Sequence, residues 1–207
     1  MEAVIGFFRD GGEFMYVILF VLILGISIII ERLLYISFKN RIDSTAFVNR
    51  IIEFIQRGNI NNALEFCNMS NAALPRIVRA GLEEAGKSPK SIQSAFELAA
   101  MVEIPKLERR THFLATIANV ATLMGLLGTI FGLIGSFQAV AQAEAALKAQ
   151  LLTAGISVAM NTTAFGIITA IPCMLSHAYI QERTNAIVDE INQNVARVYR
   201  RLVALKG

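Results

Sequence analysis

The sequence predicts an all-α membrane protein with three transmembrane helices, the second and third continuing as long helices into a helical cytoplasmic region. Three observations carry this. Residues 111–143 and 149–181 contain no Asp, Glu, Lys or Arg. A bilayer core of about 30 Å needs roughly 20 apolar residues as helix, so each run spans it with turns to spare. Residues 14–30 form a third run, apolar except for Gly25 and Ser27. Across the 207 residues, 55% are hydrophobic and 17% charged, with a mean hydropathy of +0.54, which is too apolar for an ordinary soluble domain.

Residues 1–13 read as a periplasmic amphipathic segment, with Val4, Ile5, Phe7 and Phe8 apolar and Gly11-Gly12 as a hinge before the first span. It is expected to lie as an interfacial helix on the outer face. The stretch lacks a basic start and a small-residue cleavage site, so 14–36 is read as a retained span rather than a signal peptide. That span closes on Glu31-Arg32, an expected inner-surface anchor.

Charge placement gives the orientation. The connection 37–110 carries eleven Lys and Arg and the tail 182–207 carries five, whereas Arg9 is the one basic residue before the first span and Lys148 the one between the second and third. By the positive-inside rule the long loop and the tail are cytoplasmic, and the amino terminus and the short connection 144–148 are periplasmic.

The loop itself reads as helices. Asp43 and Ser44 are N-caps for the run Phe47, Val48, Ile51, Ile52, Phe54 and Ile55, and Gly58 closes it. Shorter helices follow over 59–67 and 75–84. Ser88 with Pro89 at N1 opens another. Its pattern runs through Phe96, Leu98 and Val102 into span two without a turn cluster, so one very long helix is expected, bent near Pro105. After span three the stripe Ile180, Ile187, Ile191, Val195, Val198 and Leu202 continues into the tail as a C-terminal helix.

Within span two (111–143), Gly125, Gly128, Gly132 and Gly135 are spaced three, four and three, a stripe on which helices can approach closely. Beside it Thr122, Thr129 and Ser136 recur every seven residues as a hydroxyl line. Span three (149–181) carries Gly155, Ala159, Thr162, Gly166, Thr169 and Cys173 on one line, with Thr163 at its edge and Asn161 turned away. On spacing alone, helix packing is the stronger reading of these small residues, and a polar path the weaker. A proton path needs an ionisable relay, and no carboxylate lies in either span, so a partner chain must bring one.

Several classes fall away. There is no Gly-rich phosphate loop, no nucleophile paired with a base and no acid cluster in the spans, so neither an enzyme nor an ion-coupled solute transporter is indicated. Cys67 and Cys173 fall in different regions, and His112 and His177 stand alone, so neither a disulfide nor a metal site is expected, and no cofactor. The net charge of +3 comes from spread residues and does not point to nucleic acid. A passive membrane scaffold stays open.

The segments LATIANVATLMGLLGTIFGLIGSF (114–137) and GISVAMNTTAFGIITAIP (155–172) resemble the second and third spans of the ExbB, TolQ and MotA family of proton-channel subunits. Three spans, the Ile30-Glu31-Arg32 element and the large loop are similar to ExbB and TolQ in particular, and the likeness covers nearly the whole chain. It implies a homopentamer in a bacterial inner membrane, with spans two and three around a central pore. Two copies of an ExbD- or TolR-like single-span protein would sit inside, each with a transmembrane aspartate that carries the proton. A TonB- or TolA-like protein is implied as a further partner. Thr129 in GLLGT and Thr163 in NTTAFG match the family's pore threonines; Thr162, Thr122 and Ser136 are further pore candidates. Gly125, Gly128, Gly132, Gly135, Gly155 and Gly166 are expected to set helix contacts. One position departs: ExbB and TolQ members often carry a glutamate where this chain has Val158, so that residue's role is not carried over. The process energised, whether nutrient uptake, envelope maintenance or motility, stays open.

Overall fold

In the computed structural model, residues 7–8, 11–36 and 42–204 are described. The regular elements among them are seven helices: α1 (Phe14–Leu34), α2 (Ser44–Gln56), α3 (Ile60–Asn68), α4 (Ala73–Glu83), α5 (Pro89–Glu108), α6 (Thr111–Gln142) and α7 (Lys148–Ala204). Three stretches are long and apolar enough to cross a membrane, Phe14–Leu34, Pro89–Gln142 and Lys148–Ala204. The fold is all-α with three candidate spans, the second and third long, as the composition and apolar runs predict.

The chain divides into two compact units. One comprises residues 1–30 and 110–179, which hold most of α1, all of α6 and the first part of α7. Its surface is largely apolar side chains such as Tyr16, Phe20, Leu123, Phe131, Ile168 and Leu175, all more than half exposed, as expected of helices whose solvent is lipid. Between the helices the contacts are small: Ala118, Ala121, Ala170 and Cys173 form one cluster, flanked by Val21, Ile29 and Ile117 of α1 and α6. A second cluster, Met15, Ile18 and Phe165, receives Phe7 and Phe8, whose rings meet Phe165 edge-on at 6.2 and 4.9 Å. These two rings therefore pack against the midpoint of the third apolar run; the remainder of the expected segment 1–13 falls on residues outside those described, apart from Gly11, Gly12 and Glu13.

The other unit comprises residues 31–109 and 180–207. Its core is a contiguous set of apolar residues from α2 to α5 and the last part of α7, including Val48, Ile51, Ile77, Leu82, Ile92, Ile191 and Val198. The local signals for its helices are explicit. Asp43 accepts the Ala46 amide at 2.9 Å and caps α2, Gly58 takes φ +72° behind it, and Ser88 accepts the Ser91 amide at 3.2 Å with Pro89 at N1 of α5.

The expected bend lies elsewhere. Pro105 sits within α5, and the helical path breaks at Arg109, whose ψ is 134°, and Arg110, which takes the left-handed conformation at φ 66°. A proline removes one intrahelical hydrogen bond but need not end a helix whose neighbours are held by tertiary contacts. Here the end is fixed from outside the segment: the Arg32 guanidinium, 2% exposed, donates to the Leu107 carbonyl and lies 4.8 Å from the Tyr35 ring centroid. A cation at a helix C-terminus satisfies both an orphan carbonyl and the helix dipole. Arg32 is thus a buried C-terminal cap for α5 rather than an anchor at a water surface.

Candidate functional site

The site is the antiparallel contact of α6 with α7, and glycine makes it. At Gly125 an added Cβ would lie 3.2 Å from the Gly166 Cα, the Thr163 Cα and the Thr162 carbonyl oxygen. At Gly166 it would lie 2.7 Å from the Ala121 carbonyl, and at Gly132, 3.3 Å from the Ala159 backbone. At Gly155 it would overlap the Ser136 hydroxyl, and at Gly128 the Thr162 methyl. These contacts run in constant register, each step toward the C-terminus of α6 matched by one toward the N-terminus of α7. Such backbone proximity is what small residues allow between membrane helices.

Five of the six expected packing glycines are brought together this way. The sixth is not: Gly135 is exposed, with nothing within 4 Å of where its Cβ would be. Ser136, expected on the hydroxyl line, is buried in the contact at 5% exposure and donates to the Gly132 carbonyl at 2.8 Å.

The remaining hydroxyls divide by environment. Thr162 is 1% exposed, and its Oγ1 lies 2.7 Å from the Val158 carbonyl and 3.0 Å from the Gly11 carbonyl, so one proton is shared between an intrahelical acceptor and the turn preceding α1. Thr163 donates across the helix pair to the Gly125 carbonyl at 3.1 Å. Thr129 donates to the Leu126 carbonyl at 2.5 Å and Thr122 to the Ala118 carbonyl at 3.1 Å, both within α6. Thr122, Thr129 and Thr163 keep part of their surface exposed. Each hydroxyl proton is engaged with a backbone carbonyl, which leaves the oxygen lone pairs as acceptors. None of these groups titrates, so the pair can solvate or orient a charge but cannot carry one.

Two features were not read from the sequence. Thr169, placed there only on a small-residue line, is fully buried and its hydroxyl has no hydrogen-bond partner among the described residues. Thr162 reaches Gly11 across 151 residues of chain, a pairing that no local pattern signals. Val158, at the position of the departure, lies beside the turn that precedes α1: its Cγ1 is 3.4 Å from where a Cβ on Gly12 would be. Among the described residues no group of His, Cys, Asp and Glu is arranged to hold a metal ion.

Comparison with known proteins adds the following. A family profile for the MotA/TolQ/ExbB proton channel family matches residues 69–193. An ExbB homolog of Methanothermobacter thermautotrophicus, named for biopolymer transport, is 28% identical over 189 residues, which cover 91% of this chain and 66% of its own length. This chain therefore spans just under two thirds of that relative. A biopolymer transport protein of Synechocystis, ExbB-like 3, is 32% identical over 185 residues, 86% of this chain and 87% of its own. Among solved structures, the C. jejuni MotAB structure is similar with a TM-score of 0.66 over 93% of this chain and 80% of that chain, at 16% identity, a likeness of fold alone.

Proposed function

Because this chain belongs to the MotA/TolQ/ExbB proton channel family, we propose that it is the pore-forming subunit of a motor driven by the proton-motive force in a bacterial inner membrane. Five copies enclose two copies of an ExbD- or TolR-like single-span protein, and proton flow along the partner's aspartates is coupled to work on the periplasm or outer membrane. A TonB- or TolA-like protein receives that work. The amino terminus is periplasmic, and the loop 37–110 and the C-terminal tail are cytoplasmic. The observation that carries this reading is the α6–α7 pair itself: two spans in glycine contact, bearing hydroxyls, with no Asp, Glu, Lys or Arg in either apolar run. Such a pair complements a carboxylate brought by another chain.

The residue roles are those the family resemblance implies, and the part-exposed hydroxyls of Thr129 and Thr163 are compatible with them. Thr129 and Thr163 are the pore threonines, with Thr122 and Thr162 behind them. In the free chain their protons rest on backbone carbonyls. They accept from the partner's protonated acid and, on rotating about Cα–Cβ, donate to its ionised form, which favours the charge in a low-dielectric pore. Each proton crossing supplies about 2.3 kcal/mol per 100 mV, enough to step one ring of helices past another but not to drive large covalent chemistry.

Native mass spectrometry of the chain co-expressed with the product of its neighbouring gene tests the reading. The expected result is five copies retaining two copies of a partner with an aspartate in its span. A stable oligomer that never retains such a partner would remove the source of the pore carboxylate, and the passive scaffold would become the better reading.

A further inference from the structure

Arg197, Arg200 and Arg201 are scattered among polar residues in the sequence of α7, but the i, i+3, i+4 spacing puts them on one face. With Ile52 of α2 and Ala204 they line a concave pocket of about 360 Å³. Among the described residues no carboxylate lines it, although acidic partners are used freely nearby: Arg50 and Arg57 both pair with Glu53, at 2.6 and 2.5 Å. Like charges at this spacing weaken a helix, and the helix dipole compensates only in the last turn, where Arg201 alone of the three lies.

Arg197 is also held in place without being neutralised. Its Nη1 donates to the Asn194 side chain at 3.1 Å and its Nη2 to the Asn49 side chain at 2.8 Å. Asn194 is itself 5% exposed and is fixed by donating to the Glu190 carbonyl at 3.0 Å. A buried amide is thus committed to orienting a guanidinium that has no ion-pair partner among the described residues. Arg200 turns its Nε back to the Ala196 carbonyl at 3.4 Å, which leaves its terminal N–H groups directed away from the helix backbone.

We propose that this pocket binds a phosphate-bearing anion, with the Arg197 guanidinium as the fixed anchor and Arg200 and Arg201 as the closing pair. Planar guanidinium forks match phosphate oxygens two at a time, and three around one cavity suit a multiply charged group better than a single carboxylate. The site lies entirely within the unit made of residues 31–109 and 180–207. The phosphate has two sources to distinguish, a soluble polyphosphate-type ion and a lipid headgroup.

The test is isothermal titration of pyrophosphate into the full chain in nanodiscs of neutral lipid, with wild type and Arg200→Gln/Arg201→Gln compared. These two arginines are changed, and not Arg197, because Arg197 also links α7 to α2. Circular dichroism melts of the two proteins should coincide. We expect saturable binding by wild type and at least about a tenfold loss of affinity in the double variant, the range of a lost charge-assisted contact. No saturable binding by wild type, or equal binding by the variant, overturns the site. In discs containing phosphatidylglycerol, weakened pyrophosphate binding by wild type identifies the headgroup as the natural occupant, and unchanged binding identifies the soluble ion.

Discussion

Thr163 has one hydroxyl proton, and in the free chain the Gly125 carbonyl of the facing helix receives it. Replacing Thr163 by valine keeps the shape and removes a hydrogen bond with a net value of about 0.5–1.5 kcal/mol, so assembly should survive while proton flux in reconstituted vesicles falls; Thr129→Val should behave alike. Thr169 supplies the control. Its hydroxyl is buried without a partner, so Thr169→Val should be neutral or slightly stabilising and leave flux unchanged. If Thr169→Val lowers flux as far as Thr163→Val does, the assignment of Thr163 to the path fails. In the other unit, burial pushes the Cys67 thiol up to about 12, with nearby Arg79 pulling weakly the other way. The thiol is therefore protonated at neutral pH. A maleimide should label it only after denaturation, and rapid labelling of the native protein would show that the α3–α4 core opens. Single residues were legible in sequence where a local rule fixes them, as at the Asp43 cap. Arg32 was not, because what it caps lies 75 residues away.

At the scale of the element, periodicity marks a small-residue stripe on each span, and Gly135 and Ser136 show the limit of that reading. A strict alternation of three and four carries the stripe from Gly132 to Gly135. A straight α-helix drifts from that alternation by about 20° per heptad, and after two heptads the next inward position falls on Ser136 instead. Ala118 and Ser136 are separated by five whole turns and face the same way. Substitutions should divide along this line. Gly166→Leu forces a side chain into the Ala121 carbonyl and the Gly125 backbone and should destabilise the helix pair by about 1–3 kcal/mol or more. Gly135→Ala meets open space and should gain up to about 1 kcal/mol of helix propensity. Thermal unfolding in detergent measures both, and a tolerated Gly166→Leu would mean the glycine contact does not hold the pair together. The break between α5 and α6 escaped the same kind of reading, since proline is the local signal and the deciding contact is the distant Arg32.

For the whole molecule, apolar run length was enough for the number of candidate spans, while the orientation read from loop charge belongs to the proposal. The relation of α1 to the hairpin of α6 and α7 was beyond both, because it depends on which residues of three separate segments meet. Its ends locate it. Phe14 stacks on Phe131 at 5.3 Å and approaches Gly128, while Gly25 is wedged between Ile117 and Cys173. From these contacts α1 runs beside the half of the hairpin nearest Thr111, and α6 beyond Phe131 continues with α7 as its companion but without α1 alongside. Spin labels at Leu123 and Ile168, in the braced half, should therefore give a narrower distance distribution than labels at Val140 and Leu151 in the other half. Equal widths would show that α1 confers no stiffness. If α1 stiffens the half it flanks, the hairpin is a cantilever clamped over half its length, and a cantilever bends at the edge of its clamp. Thr129, next to Gly128, and Thr163, next to Thr162, stand at that edge. A small push there acts at a fulcrum, and the unclamped half is the lever arm that enlarges it.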